Sequence, residues 1–158
     1  MHTTVLVLAT ASMGLIAGLF YAFSVSVMPG LRRIGDQPFV QAMGAINTAI
    51  QNLWFAVSFF GALLFTAWAL VLQVSEGTPR LFTVATALIL YVAVLGITFT
   101  INIPLNLELE RSASAQTGGS AAARLRFEKR WVGWNHLRTL LSFAAFILLC
   151  TALVSPPQ

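Results

Sequence analysis

Charge is what this chain has least of. Nine Lys or Arg and five Asp or Glu in 158 residues amount to 9% charged, against about a quarter in an ordinary soluble domain. With 58% of residues hydrophobic and a mean hydropathy of +0.82, a water-soluble globule is excluded, because too little polar surface exists to cover the apolar mass. A single cysteine, Cys150, within an apolar run, rules out an internal disulfide and a CxxC centre. Two histidines, His2 and His136, do not make a multi-histidine metal site, and no metal is expected. The chain has no Gly-rich dinucleotide fingerprint, no P-loop and no HExxH, which argues against nucleotide, flavin or zinc chemistry of those kinds. The net charge of +4 is small and lies between apolar runs, so it reads as membrane topology and not as nucleic-acid binding.

What the chain does have is long apolar runs, each close to the roughly 20 residues that cross a bilayer. Four spans are expected, at about residues 3–28, 53–74, 82–101 and 134–154, in one transmembrane domain covering 1–158. The first has no basic stretch before it and is longer than a signal-peptide core of about 7–15 residues, so a retained span is expected. Arg32 and Arg33 follow the first span, and Arg111, Arg124, Arg126, Lys129 and Arg130 follow the third; Arg80 alone lies between the second and third. The positive-inside rule then places residues 29–52 and 102–133 in the cytoplasm and both ends outside. The expected fold is all-α, an integral membrane four-helix bundle with amphipathic interfacial helices after spans 1 and 3.

Those two connecting segments hold most of the polar side chains. After Met28 a Pro-Gly break is expected, then a helix capped by Asp36 with Pro38 in its first turn. Phe39, Met43, Ile46 and Ile50 recur at helical spacing along it, a stripe that serves packing. Asn47 and Gln51, four apart and running into the second span, are costly at membrane depth unless partnered. They either cross-link helices or line a cavity. The third span ends in TINIPLN, where Pro104 removes the hydrogen bond to the Thr100 carbonyl and Asn102 and Asn106 flank the expected kink. These amides read either as caps or as the rim of a pocket. The following RSASAQTGGSAAA reads as a linker without chemistry.

The densest polar cluster is RFEKRWVGWNHLRTLLSF, residues 126–143, at the entrance of the last span. On an ideal helix Trp131, Asn135, Arg138 and Ser142 form one narrow stripe, with Trp134 beside it and placed to stack on the Arg138 guanidinium. His136 lies about 100° round from Asn135, so histidine and stripe are not one cluster. The stripe reads as an inward-facing polar site, or as an aromatic belt with topological charge. His136 reads as a structural histidine, with a single axial haem ligand formally open. The halves also echo one another: Phe39 precedes Asn47 by eight, as Phe127 precedes Asn135, which suggests a parallel repeat about an axis along the membrane normal. Gly14 and Gly18, in GLIAG, permit a close helix approach, by an internal helix or by a second copy in a homo-oligomer.

Taken in order, GLFYAFSVSVMPGLRR, FVQAMGAINTAIQN, INIPLN and RWVGWNHLRTL resemble the signature segments of the anthrone-oxygenase-like family of small four-helix membrane proteins. The resemblance spans roughly Gly14 to Leu153. It departs at Leu53, where the family pattern leads one to expect a proline; that affects a helix start and no chemical group. Bacterial members are largely of unknown function, and fungal members are implicated in oxidising anthrones to anthraquinones. The resemblance implies a bacterial inner-membrane protein that oxidises a small aromatic molecule, anthrone- or quinol-like, with dioxygen.

Such chemistry needs a base, donors for an enolate oxygen and a flat apolar pocket, and it runs without metal or flavin. The candidate catalytic residues are His136, Arg138 and Asn135, and the candidate substrate-binding residues are Asn47, Asn102, Asn106, Trp131, Trp134, Tyr21 and Arg32. If His136 does not face the site, Asp36 or Glu128 remains as base. No cofactor is expected, although haem or quinone stays open. The expected partners are the membrane and a small hydrophobic aromatic molecule or lipid. The alternative function is a non-enzymatic quinone- or lipid-binding protein or a subunit of a larger complex. A transporter is disfavoured, since Arg138 is the only Lys, Arg, Asp or Glu within a span, and it lies near the span's end.

Overall fold

The computed structural model describes residues 2–76, 80–114 and 119–154, and every element in them is helical. Helix α1 (His2–Ala22) passes through a π-helical segment, Phe23–Val27, into α2 (Met28–Leu31). Helix α3 (Asp36–Ala49) follows, then α4 (Leu53–Glu76). Helix α5 (Leu81–Ile97) passes through a second π-helical segment, Thr98–Asn102, into α6 (Ile103–Ser114), and α7 (Gly119–Val154) ends the described chain.

Four of these helices are long and apolar enough to cross a membrane, over His2–Leu31, Leu53–Val74, Leu81–Ser112 and Gly119–Val154. Helix α1 packs on α4 and α7, and α5 packs on the same two. The result is a four-helix membrane bundle running up and down in the order α1, α4, α5, α7. Its interior is made by Ala9, Met13, Ile16, Phe59, Ala62, Tyr91, Val94, Ala145 and Leu149. The buried Tyr91 hydroxyl donates to the Phe59 carbonyl at 2.7 Å. Gly14 serves an internal approach: a Cβ there would sit 2.9 Å from the Phe146 ring of α7.

At 36 residues, α7 is about 54 Å long by helical rise, against a hydrocarbon thickness of about 30 Å. It is thus longer than a span requires, and its first turns pack on α3 and α6. Phe39, Val40 and Met43 of α3, Leu105 and Leu109 of α6, and Phe127, Trp131 and Val132 of α7 form a second core there. This is why the connecting segments are amphipathic: each lays an apolar stripe on this second core.

Several local expectations change. Neither proline breaks a span. A π turn precedes each one, and the helix continues through Pro29 to Leu31 and through Pro104 to Ser114, because a proline near the start of a helical segment loses only a hydrogen bond that segment does not need. Asp36 is the first helical residue and does not cap; the cap position is Gly35, without a side-chain hydrogen bond, and the Asp36 carboxylate accepts from Arg124 at 3.1 Å. The start of α4 is capped instead by Asn52, whose Oδ1 accepts from the Phe55 N–H at 3.0 Å. Much of the expected linker is helix, up to Ser114 and again from Gly119, which has φ +72°; residues 115–118 lie outside the described residues.

Candidate functional site: an arginine-centred cavity at the bilayer boundary

The stripe Trp131, Asn135, Arg138 and Ser142 of α7 is buried, at 4%, 1%, 5% and 0% exposure. Arg138 sits where the bundle meets the outer core, and both π segments help to hold it. Its Nη1 donates to Thr98 Oγ1 of the second π segment at 3.3 Å, and its Nη2 donates to Asn135 Oδ1 at 2.9 Å. Asn135 Nδ2 in turn donates to the Phe20 carbonyl at 3.0 Å and to Ser24 Oγ, in the first π segment, at 2.9 Å. A π turn widens the helix by one residue and redirects the side chains on it. Here it brings Ser24 on one side and Thr98 and Asn102 on the other to the same level. The guanidinium lies 4.3 Å from the Phe20 ring centroid and 5.5 Å from that of Trp131. Trp131 is the stacking partner on α7, while Trp134 is 37% exposed.

No carboxylate pairs with Arg138 among the described residues. A cation placed in a membrane helix costs about 2.5–3.5 kcal/mol on insertion scales, and aromatic faces with neutral acceptors recover only part of that. Beside it lies a cavity of about 370 Å³. Phe20, Phe23, Phe55 and Trp131 give it aromatic walls, and Asn47, Thr98, Asn102, Asn106, Glu110 and Arg138 give it polar points. Three buried polar atoms on these residues have no partner: Arg138 Nε, Asn47 Nδ2 and Asn102 Oδ1. The Asn102 amide is oriented by its Nδ2, which faces the Trp131 carbonyl at 3.4 Å, leaving the oxygen for the cavity. Asn106 accepts from Trp131 Nε1 at 2.8 Å, which fixes the indole ring on the cavity wall. Buried polar groups are rarely left unsatisfied; three in one cavity are an address for a ligand with both acceptor and donor oxygens.

The remaining candidates lie elsewhere. His136 is exposed and lines an open groove of about 680 Å³ on the other face of α7, with Arg32, Asp36, Arg124, Glu128 and Lys129. That groove is a charge network tying the α2–α3 turn to α7. Arg124 reaches Glu128 at 2.7 Å, Asp36 at 3.1 Å and the Ile34 carbonyl at 2.9 Å, and Arg32 reaches Glu128 at 2.8 Å. Glu128 belongs to the part of α7 before the apolar span. Partial burial pushes its carboxyl up, but the hydrogen bonds and charges of Arg124 and Arg32 outweigh that and hold it below its ordinary value. Asp36 and Glu128 are thus arginine partners on the face away from the cavity. Tyr21 is 56% exposed on the outside of α1. Among the described residues no three His, Cys, Asp or Glu converge as metal ligands.

Of the polar points named above, Thr98 and Glu110 escape a reading of the sequence alone, as do the aromatic walls Phe20, Phe23 and Phe55. Glu110 follows Asn102 and Asn106 at successive steps of four, a pattern in plain view once the helix is known to continue past Pro104.

The fold and site define a class, an all-helical integral membrane protein with an aromatic cavity built around a buried, uncompensated arginine. The family model for anthrone oxygenase matches residues 51–148, and the chain belongs to that family. The matched stretch contains Thr98, Asn102, Asn106, Glu110, Trp131, Asn135 and Arg138, whereas Phe20 and Asn47 precede it. Comparison with curated proteins and with solved structures finds no match.

Proposed function

We propose that this protein is a membrane oxygenase that binds a flat aromatic ketone, anthrone- or quinol-like, in the Arg138 cavity and oxidises it with dioxygen without a cofactor. The observation that carries the reading is the uncompensated guanidinium at the inner end of an aromatic cavity. An anthrone methylene is acidic because the electron pair left by its proton spreads onto the ketone oxygen. An enolate oxygen beside Arg138 Nε and Asn47 Nδ2 meets two donors already in place, and a preorganised cation at a developing oxyanion is worth most where water is excluded. Asn102 Oδ1 is then available to a ring hydroxyl. The electron-rich enolate reacts with dioxygen, which partitions into the bilayer with the substrate. In the balance, the ring methylene and one molecule of dioxygen give a ring carbonyl and one molecule of water. One oxygen atom becomes the new carbonyl, and the other leaves as water with the two methylene hydrogens.

The bacterial inner membrane, with residues 29–52 and 102–133 cytoplasmic, is part of the same proposal and rests on the distribution of basic residues. A non-enzymatic quinone carrier is the second reading, because a quinone oxygen suits the same donors. Oxygen uptake by the detergent-solubilised protein with anthrone, measured against heat-denatured protein, separates the two. The oxygenase reading expects catalysed uptake matched by anthraquinone absorbance, lost in Arg138→Ala and unchanged in His136→Ala. Anthraquinone binding without uptake would establish the carrier instead.

A further inference from the structure

The cavity has an electrical direction. Its inner end is the Arg138 guanidinium, and among the described residues only Arg138 and Glu110 bring titratable groups to its wall. Glu110 is therefore the one group there that can take a proton. It stands on α6 at the mouth, two steps of four beyond Asn102, each step about 6 Å along the axis. Helical side chains lean toward the N-terminus, so the Glu110 side chain leans back toward Asn106 and the cavity interior. Three of the other acids and His136 are elsewhere: Asp36, Glu128 and His136 line the groove on the opposite face of α7, and Glu108 pairs with Arg126 at 3.4 Å.

We infer that Glu110 is the general base of this site. The inference rests on the oxygenase reading for its substrate. In an anthrone the ketone and the methylene sit on opposite sides of the central ring, so one molecule presents its oxygen to the cation and its acidic carbon to the carboxylate. Cation inside and carboxylate at the mouth orient the substrate and set the direction of charge flow. A Glu110 oxygen takes the proton as the C–H bond breaks, and the bond's electron pair moves through the ring to the oxygen at Arg138. The mouth then lets the proton pass to water, which the dry inner end does not allow. This separates two tasks, with stabilisation of the anion at Arg138 and removal of the proton at Glu110.

Proton removal is measured apart from oxygenation by following deuterium exchange at the anthrone methylene, in heavy water and under argon, by mass spectrometry. The wild-type protein is expected to accelerate exchange over the protein-free rate. Glu110→Gln is expected to lose that acceleration and to lower kcat for oxygen uptake by about 100-fold or more, with KM changed little and the acid limb of the pH–rate profile abolished. Glu110→Asp should restore part of both. Quenching of tryptophan fluorescence by anthraquinone reports that each variant retains its folded cavity. Glu110→Gln with wild-type exchange and an unchanged pH profile overturns the assignment and leaves the oxygenase reading intact. Catalysed exchange without oxygen uptake does the reverse. Absence of both activities in the wild-type protein overturns both.

Discussion

At the scale of single residues, the site depends on Arg138 keeping its charge uncompensated. Among the described residues the groups that hold it are neutral: Thr98 and Asn135 accept from its two terminal nitrogens, and Phe20 and Trp131 cover its faces. Asn135 is the hinge of this arrangement, because its amide donates twice to α1 and its π segment and accepts once from Arg138. Asparagine suits the position for a physical reason. An aspartate of nearly the same shape would place a full negative charge 2.9 Å from the guanidinium, form a buried ion pair and cancel the field that the cavity offers an oxyanion. Asn135→Asp is accordingly expected to weaken anthraquinone binding at least about 10-fold, the equivalent of about 1.4 kcal/mol. It would also lose the two bonds to Phe20 and Ser24, so melting is compared with Asn135→Ala, which loses them without adding a charge. Binding weaker in the Asp variant than in the Ala variant assigns the effect to charge; equal binding assigns it to geometry.

At the scale of elements, the two π segments are the device that turns a plain bundle into a site. Phe23–Val27 and Thr98–Asn102 begin 75 residues apart in sequence, and so do Pro29 and Pro104. The two halves then fall out of step, and Phe39 and Phe127 are 88 apart, the second half being longer by part of the Gly- and Ser-containing segment. These corresponding phenylalanines meet edge to face, with centroids 6.2 Å apart, as residues related by a central pseudo-two-fold axis would. The halves differ where the chemistry lies. The first breaks its helix at Ile50–Asn52, while the second runs on unbroken through Arg138. Removing one residue from the second π segment tests its role. Deleting the exposed Thr100 would restore the α-helical register and turn α6 by about 100° relative to α5, taking Asn106 and Glu110 off the cavity wall. Helical content by circular dichroism is expected to persist while anthraquinone quenching and oxygen uptake disappear. Retained binding would mean that the widened turn is packing without a part in the site.

At the scale of the whole molecule, the sequence carries the architecture far better than the chemistry, and the reasons are physical. Lipid demands long apolar helices whose backbone bonds are satisfied internally, so four spans are visible as four runs. The 100° offset of His136 from the arginine stripe is likewise a rule of helix geometry, and it places the histidine in the outer groove. What composition and spacing hide is continuity through proline. A π turn has no sequence signature as plain as a proline, so Pro104 reads as an end, and Glu110, six residues beyond it, reads as loop. Orientation in the membrane follows from the same large-scale pattern of charge and has a consequence for supply. The cavity mouth, at the exposed Gln51, Leu107 and Glu110, is at the bundle end whose connecting segments carry seven of the chain's nine basic residues. If that end is cytoplasmic, substrate enters from the inner leaflet and the proton leaves toward the cytoplasm. Alkaline phosphatase, active only when exported, is expected to be active when fused after Val154 and inactive when fused after Gly119. The opposite pattern would invert the molecule in the bilayer, load the cavity from the outer leaflet and leave the bundle, the arginine and its cavity as they stand.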